Sequence, residues 1–180
     1  MDRLRIATTW LGGCSGCHMS FLDLDEWLVD LADKVEIVYS PIIDIKQYPA
    51  NVDVCLIEGS VANEDNLEML HTIRKNTRVL VAFGDCAVTG NVTAMRNPLG
   101  SPESCLQRAY FETVDLNACR PEEKGIVPPL LDRVYPLHEI VPVEFFMPGC
   151  PPPADRIKAV LEQVLAGKAP QLTAQQIKFG

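Results

Sequence analysis

The chain has 180 residues, 47% hydrophobic and 22% charged, which is enough apolar material for one ordinary domain. Its formal charge of −8 argues against a protein that grips nucleic acid through a basic face, and no apolar run approaches the roughly 20 residues of a membrane helix. Seven cysteines, an odd number, and an opening without a charged leader lead us to expect metal or redox chemistry in the reducing cytoplasm rather than a disulfide framework.

In chain order, Arg3 to Trp10 is apolar and β-branched and reads as the first strand. Gly12-Gly13-Cys14-Ser15-Gly16-Cys17-His18 follows, and then Phe21, Leu24, Leu28 and Leu31 at helical spacing. The Cys-x-x-Cys turn therefore joins a strand to a helix, at the strand end where open α/β sheets place their ligands. Val35–Tyr39 reads as a second strand, residues 41–49 as a loop, and Val52–Ile57 as a buried parallel strand ending in Glu58-Gly59-Ser60. Residues 63–76 form a helix with Leu67, Leu70 and Ile73 on one face and Asn63 as its N-cap. Arg78–Phe83 is a fourth strand ending in Gly84-Asp85-Cys86, with a short helix expected over 87–96.

From 97 to 142 the periodicity fades and prolines accumulate. Val143–Met147 is the last strand, ending in Pro148-Gly149-Cys150-Pro151. The final helix carries Ile157, Val160, Leu161 and Val164 on one face, with Gly167 as its stop. This alternation predicts a single α/β domain over 1–180: a flavodoxin-like, mainly parallel open sheet with helices on both faces. The irregular segment at about 97–142 is too long for an ordinary connection and keeps Leu106, Tyr110, Phe111, Leu130, Leu131 and Tyr135. We expect it to dock a partner.

The chemistry lies at the strand ends. Cys14 and Cys17 follow the first strand, Cys86 the fourth and Cys150 the last, so in a parallel sheet all four lie on the same side. Four thiolates are the ligand set of a cubane iron–sulfur cluster, and the adjacent Gly13, Gly84 and Gly149 suit close backbone approach. Other readings stay open on residues alone. A redox dithiol would use Cys14 and Cys17 and leave Cys86 and Cys150 unexplained. Structural zinc takes four cysteines, but usually as two local pairs. Cys55, Cys105 and Cys119 read as small buried hydrophobes.

Glu58 ends the third strand on the cysteine side. It is either a carboxylate favoured by a helix dipole or one that relays a proton or takes an iron position. His18 either donates to a cluster sulfur or merely starts a helix, His71 reads as surface, and His138 has no assignment. Asp85, next to Cys86, is the weaker candidate of the two carboxylates for a chemical role.

The motifs Gly13-Cys14-Ser15-Gly16-Cys17-His18, Glu58-Gly59-Ser60, Gly84-Asp85-Cys86-Ala87 and Pro148-Gly149-Cys150-Pro151-Pro152 occur in this order. Together, over about residues 3–166, they resemble the small electron-transfer subunit of nickel–iron hydrogenases. That superfamily also holds an iron–sulfur subunit of respiratory NADH:quinone oxidoreductase. The quinone branch has adjacent cysteines at the first motif; Cys14-Ser15-Gly16-Cys17 instead resembles the cytoplasmic NAD-reducing branch.

The resemblance implies one proximal 4Fe–4S cluster on this chain, held by Cys14, Cys17, Cys86 and Cys150. It implies a nickel–iron centre in a separate large subunit, and diaphorase iron–sulfur and flavin subunits as partners, with no nucleic acid and no membrane insertion. The export signal and two-cluster C-terminal domain of the membrane-bound branch are not expected here. The two cysteine pairs of a nickel site and a Gly-x-Gly-x-x-Gly fingerprint are missing, so no complete active site is expected on this chain. A flavodoxin-like flavin carrier is the rival of another class, but FMN has no support beyond the fold, and aromatic residues make up only 7%.

Overall fold

The computed structural model describes residues 3–179. Strand β1 (Leu4–Trp10) leads into two short helices, α1 (Gly16–Leu22) and α2 (Trp27–Ala32), and then β2 (Val35–Tyr39). Next come β3 (Val52–Glu58), β4 (Val61–Asn63), α3 (Glu64–Asn76), β5 (Thr77–Phe83) and α4 (Asp85–Thr89). A 3₁₀ helix over Asn91–Leu99 precedes α5 (Glu103–Gln107), which runs into a π turn, Arg108–Glu112. Then follow β6 (Leu130–Tyr135), a 3₁₀ turn, Leu137–Glu139, the short strand β7 (Phe145–Met147) and α6 (Ala154–Leu165).

Five strands make one sheet in the order β2-β1-β3-β5-β7, every pairing parallel. This is the doubly wound order expected of a flavodoxin-like sheet. Strand alternation feeds two apolar layers. Val54, Leu56, Val81 and Phe83 pack beneath α1, α2 and α6 with Phe21, Leu31, Ile157 and Leu161. Cys55, Ile57, Leu80 and Ala82 pack on the other face with Leu70 and Ile73 of α3 and Ala87 of α4. Each fully buried leucine, isoleucine or phenylalanine contributes about 1.5–3 kcal/mol relative to exposure, which is why both faces must be covered. No helix among the described residues is long and apolar enough to cross a membrane.

Local signals set several element ends. Asn63 caps α3, its side chain accepting from Asn66 N–H at 2.8 Å. Gly167, at φ +68°, closes α6 by donating to the Val164 carbonyl at 2.9 Å.

The structure departs from the sequence reading in three places. The helical pattern over Phe21–Leu31 is not one helix: α1 begins as early as Gly16, and the chain breaks through a turn in which Asp25 adopts φ +49°. Leu24 still reaches the core from that turn, which is why the spacing looked continuous. The short helix over 87–96 is α4 followed, beyond the left-handed Gly90, by the 3₁₀ helix. The segment 97–142 is irregular over much of its length but contains α5 and β6. Strand β6 pairs antiparallel with β4, and Arg96 ties that ribbon down by donating to the carbonyls of Ala62, Leu131 and Asp132. Such a pairing spans some seventy residues and leaves no local pattern.

Register is what builds the site. Trp10 lies opposite Glu58, Glu58 opposite Phe83, and Phe83 opposite Met147, so four strands end on a single row. Every loop leaving that row starts at the same edge of the sheet.

Candidate metal centre

Four loops leave this row, and three of them carry cysteines. Cys14 and Cys150 are exposed, Cys86 is partly buried, and Cys17, in the first turn of α1, is buried. Cys55 is fully buried in β3, its sulfur 3.5 Å from the Thr9 hydroxyl, as a small core residue. Cys105 and Cys119 depart from the expectation of buried hydrophobes. Cys105 is half-buried in α5 and Cys119 is exposed, because the segment that carries them lies on the surface.

The four strand-end thiols feel one another. Burial pushes the Cys17 thiol far above its ordinary range, and Glu58, Cys86, Cys14 and Cys150 each add to the effect. Burial likewise raises Cys86, then Cys150, Cys14 and Glu58, while a hydrogen bond from Asn91 works the other way. Packed thiols that resist ionisation in the bare chain are matched by a cationic iron group, which takes them as thiolates. Among the described residues no three His, Cys, Asp or Glu side chains close on one point as they would around a single ion. A multi-iron cluster takes its thiolates on different irons, so its ligands stand further apart. Sulfur donors from three loops suit such a group, and the fit is one of chemistry and placement.

The loops are held to each other rather than merely adjacent. Gly84 N–H donates to Met147 O at 2.8 Å, and Asp85 N–H to Gly149 O at 2.9 Å. The buried Asp85 carboxylate accepts from Gly149 N–H at 2.6 Å, so it clamps the loop that bears Cys150. Arg156, buried in the first turn of α6, donates to the Pro148 carbonyl of the same loop. Burial lowers the affinity of its guanidinium for the proton and the Asp85 charge opposes that. Ser20 of α1 donates to Pro152 O at 2.6 Å, joining the Cys17 helix to the Cys150 loop. At Gly84 a Cβ would stand 2.2 Å from the Cys17 sulfur, and φ is +84°, so only glycine lets the β5 loop pass that thiol.

Glu58 lies at the centre of this arrangement, only 1% exposed. Its oxygens accept from the backbone N–H of His18 at 2.9 Å and of Cys17 at 3.4 Å, satisfying donors that the start of α1 leaves open. It is thus a helix-start carboxylate, but for α1 rather than for the helix that follows it in sequence. Its Oε2 also stands 2.5 Å from His18 Nδ1, a short polar contact between two buried groups. His18 Nε2 is buried without a hydrogen-bond partner. His71 is exposed on α3, and His138 lies edge-on to Phe146, ring centroids 5.6 Å apart.

Three contributors carried no obvious sequence signal. Asn91 Nδ2 donates to the Cys150 sulfur at 3.4 Å; only the turn-like Gly90-Asn91 pair hinted at it. A serine inside a helix, such as Ser20, carries no signal along the sequence for a contact 132 positions away. Arg156 did leave a trace: a cation in the first turn of a helix opposes the macrodipole and needs another reason to be there.

The family model for the 20 Kd subunit of NADH ubiquinone oxidoreductase matches residues 14–164. The delta subunit of the NAD-reducing hydrogenase HoxS of Cupriavidus necator is 40% identical over 172 residues, covering 92% of this chain and 80% of that one. A subunit of the F420-non-reducing hydrogenase vhu of Methanococcus voltae is 42% identical over 173 residues, covering 95% of this chain but only 59% of its own length. Among solved structures, a chain of an NAD+-reducing [NiFe]-hydrogenase in the H2-reduced state superposes with a TM-score of 0.94 at 39% identity, covering 99% of this chain and 100% of that one.

Proposed function

The chain belongs to the NADH ubiquinone oxidoreductase 20 Kd subunit family, and from that premise we propose that it is the electron-transfer small subunit of a cytoplasmic NAD-reducing nickel–iron hydrogenase. In this reading Cys14, Cys17, Cys86 and Cys150 hold one 4Fe–4S cluster. A large subunit carries the nickel–iron centre, and diaphorase iron–sulfur and flavin subunits take the electrons onward to NAD+. The observation that carries the reading is the single row formed by Trp10, Glu58, Phe83 and Met147, which brings thiols from three remote loops to one sheet edge.

When bound, the cluster supplies one-electron storage and transfer, at a potential set by charge, hydrogen bonds and solvent access. The chain's own residues do the rest. Cys17 binds from a buried helix start, and Glu58 fixes that start by accepting its two N–H groups. Asp85 and Arg156 hold residues 148–149 and so fix the loop that carries Cys150. Glu58 Oε2 and His18 Nδ1 form a place where a proton can be held beside the sulfurs, which supports a relay role for Glu58. The second role read for Glu58, occasional iron ligation, draws support only from its closeness to Cys17 and Cys86.

The name of the family model and the M. voltae relative favour a second reading, an iron–sulfur subunit of a different hydrogenase or of a quinone-reducing complex. Anaerobic purification of the tagged chain from its own cells tests both. The first reading expects a nickel-containing large subunit, flavin and iron in the complex, with hydrogen-dependent reduction of NAD+. A complex that consumes hydrogen but transfers to other acceptors only would favour the second. A chain without iron would remove both.

A further inference from the structure

Asn91 opens the 3₁₀ helix five residues after Cys86, and its backbone stands at φ +42°. Asparagine is among the few side chains that tolerate this left-handed conformation. The turn is braced: Thr89 Oγ1 donates to Asp85 O at 2.9 Å and accepts from Asn91 N–H at 3.3 Å. The side-chain amide is thereby aimed, with Nδ2 3.4 Å from the Cys150 sulfur, although the two residues are 59 positions apart. An amide nitrogen carries two hydrogens and can serve two acceptors.

We propose that Asn91 tunes the metal centre, donating through Nδ2–H to the Cys150 sulfur and so stabilising the more reduced state of the group that the four cysteines hold. This deepens the cluster reading given above and rests on it. A donor to a ligating sulfur withdraws electron density, and hydrogen bonds of this kind help to set cluster potential. One side chain of the segment after Cys86 thus reaches the sulfur of the β7 loop. Asp85 and Arg156 reach the β7 loop through Gly149 and Pro148, not through sulfur, so they position a ligand while Asn91 acts on its electrons.

The test uses the complete complex, purified anaerobically, with Asn91→Gly and Asn91→Asp. Both residues accept a left-handed backbone, so the turn survives; glycine removes the donor, and aspartate replaces it with an anionic acceptor of the same shape. Iron per chain and the midpoint potential, followed by electron paramagnetic resonance, are measured for each. The expected result is unchanged iron, a shift to more negative potential in Asn91→Gly and a larger negative shift in Asn91→Asp. Titrations superimposable on the wild type, or a positive shift, would overturn the proposal. So would loss of iron from Asn91→Gly, since Asn91 would then be closing the loop rather than tuning it. Cys86→Ser and Cys150→Ser separate the two levels. Iron that depends on these cysteines while the Asn91 variants leave the potential unmoved sinks this inference alone; iron that ignores the cysteines sinks the ligand reading with it.

Discussion

At Cys17 three pressures act together: burial, a neighbouring carboxylate and three other thiols all oppose ionisation. Metal loading must expel that proton, so uptake of iron by the bare chain is favoured as pH rises. Replacing Cys14, Cys17, Cys86 or Cys150 by Ser should remove most bound iron, and replacing Cys55, Cys105 or Cys119 should leave it near normal. Iron per chain decides, and loss in Cys105→Ser with retention in Cys86→Ser would reverse the assignment. Glu58→Gln keeps the shape but removes a buried negative charge, so the midpoint potential should rise and lose some of its pH dependence. Superimposable redox titrations would leave Glu58 as the cap of α1 and nothing more.

Cys55 offers a pH test away from the centre. Burial pushes its thiol up to about 11, against hydrogen bonds with Thr9 and Tyr48. Below the ordinary thiol value of about 8.5 the group is neutral in both states, and its contribution to stability is fully present. As pH rises from there towards about 11, the unfolded chain ionises before the folded one, so up to about 3 kcal/mol is lost. Urea unfolding of the reduced, metal-free chain at about pH 8 and about pH 10 should show Cys55→Ala losing less stability than the wild type between the two.

At the scale of elements, the decisive join is between the ends of β5 and β7. Gly84 occupies φ +84° and ψ 164°, a region that is essentially glycine's alone and costs other residues about 1–3 kcal/mol. Gly84→Ala also drives a methyl into the Cys17 sulfur, so it should lower both thermal stability and iron content although no ligand is altered. Asp85→Ala leaves Gly149 N–H buried without its acceptor, at about 1–3 kcal/mol, and releases the Cys150 loop. Thermal melts with parallel iron assays check both; normal iron in Gly84→Ala would mean that the close approach is unimportant. The break between α1 and α2 belongs to this scale too, because Leu24 reaches the core from a turn as well as it would from a helix.

For the whole molecule, the proposed relay would need partners, and several large apolar side chains lie open to one. Met19 of α1 and Val92, Met95 and Leu99 of the 3₁₀ helix are exposed on elements that begin at the thiol loops, while Phe111, Leu116 and Ile126 are exposed in the 97–142 segment. Large apolar side chains left exposed in this number are what a docking partner would cover. Expressed alone, the chain should aggregate, and it should join a cognate large subunit when one is supplied. Met95→Asp should weaken that association in size-exclusion chromatography without changing iron content, whereas a monodisperse wild-type monomer that ignores the large subunit would count against docking.

What the sequence determined by itself was whatever short-range chemistry specifies. Buried apolar runs announced the parallel strands, glycines and prolines marked their ends, and Cys14, Cys17, Cys86 and Cys150 stood just beyond those ends, so the mainly parallel sheet and the place of these thiols along the chain were legible. Only the tertiary structure decided that Trp10, Glu58, Phe83 and Met147 share a row, that Glu58 caps α1, that β4 pairs with β6, and that Asn91 reaches Cys150. Hydrophobic period and turn propensity act over a few residues, whereas each of these contacts joins groups tens of positions apart through backbone register or a single hydrogen bond. Neither leaves a pattern along the chain, because each exists only once the core has brought the strands together.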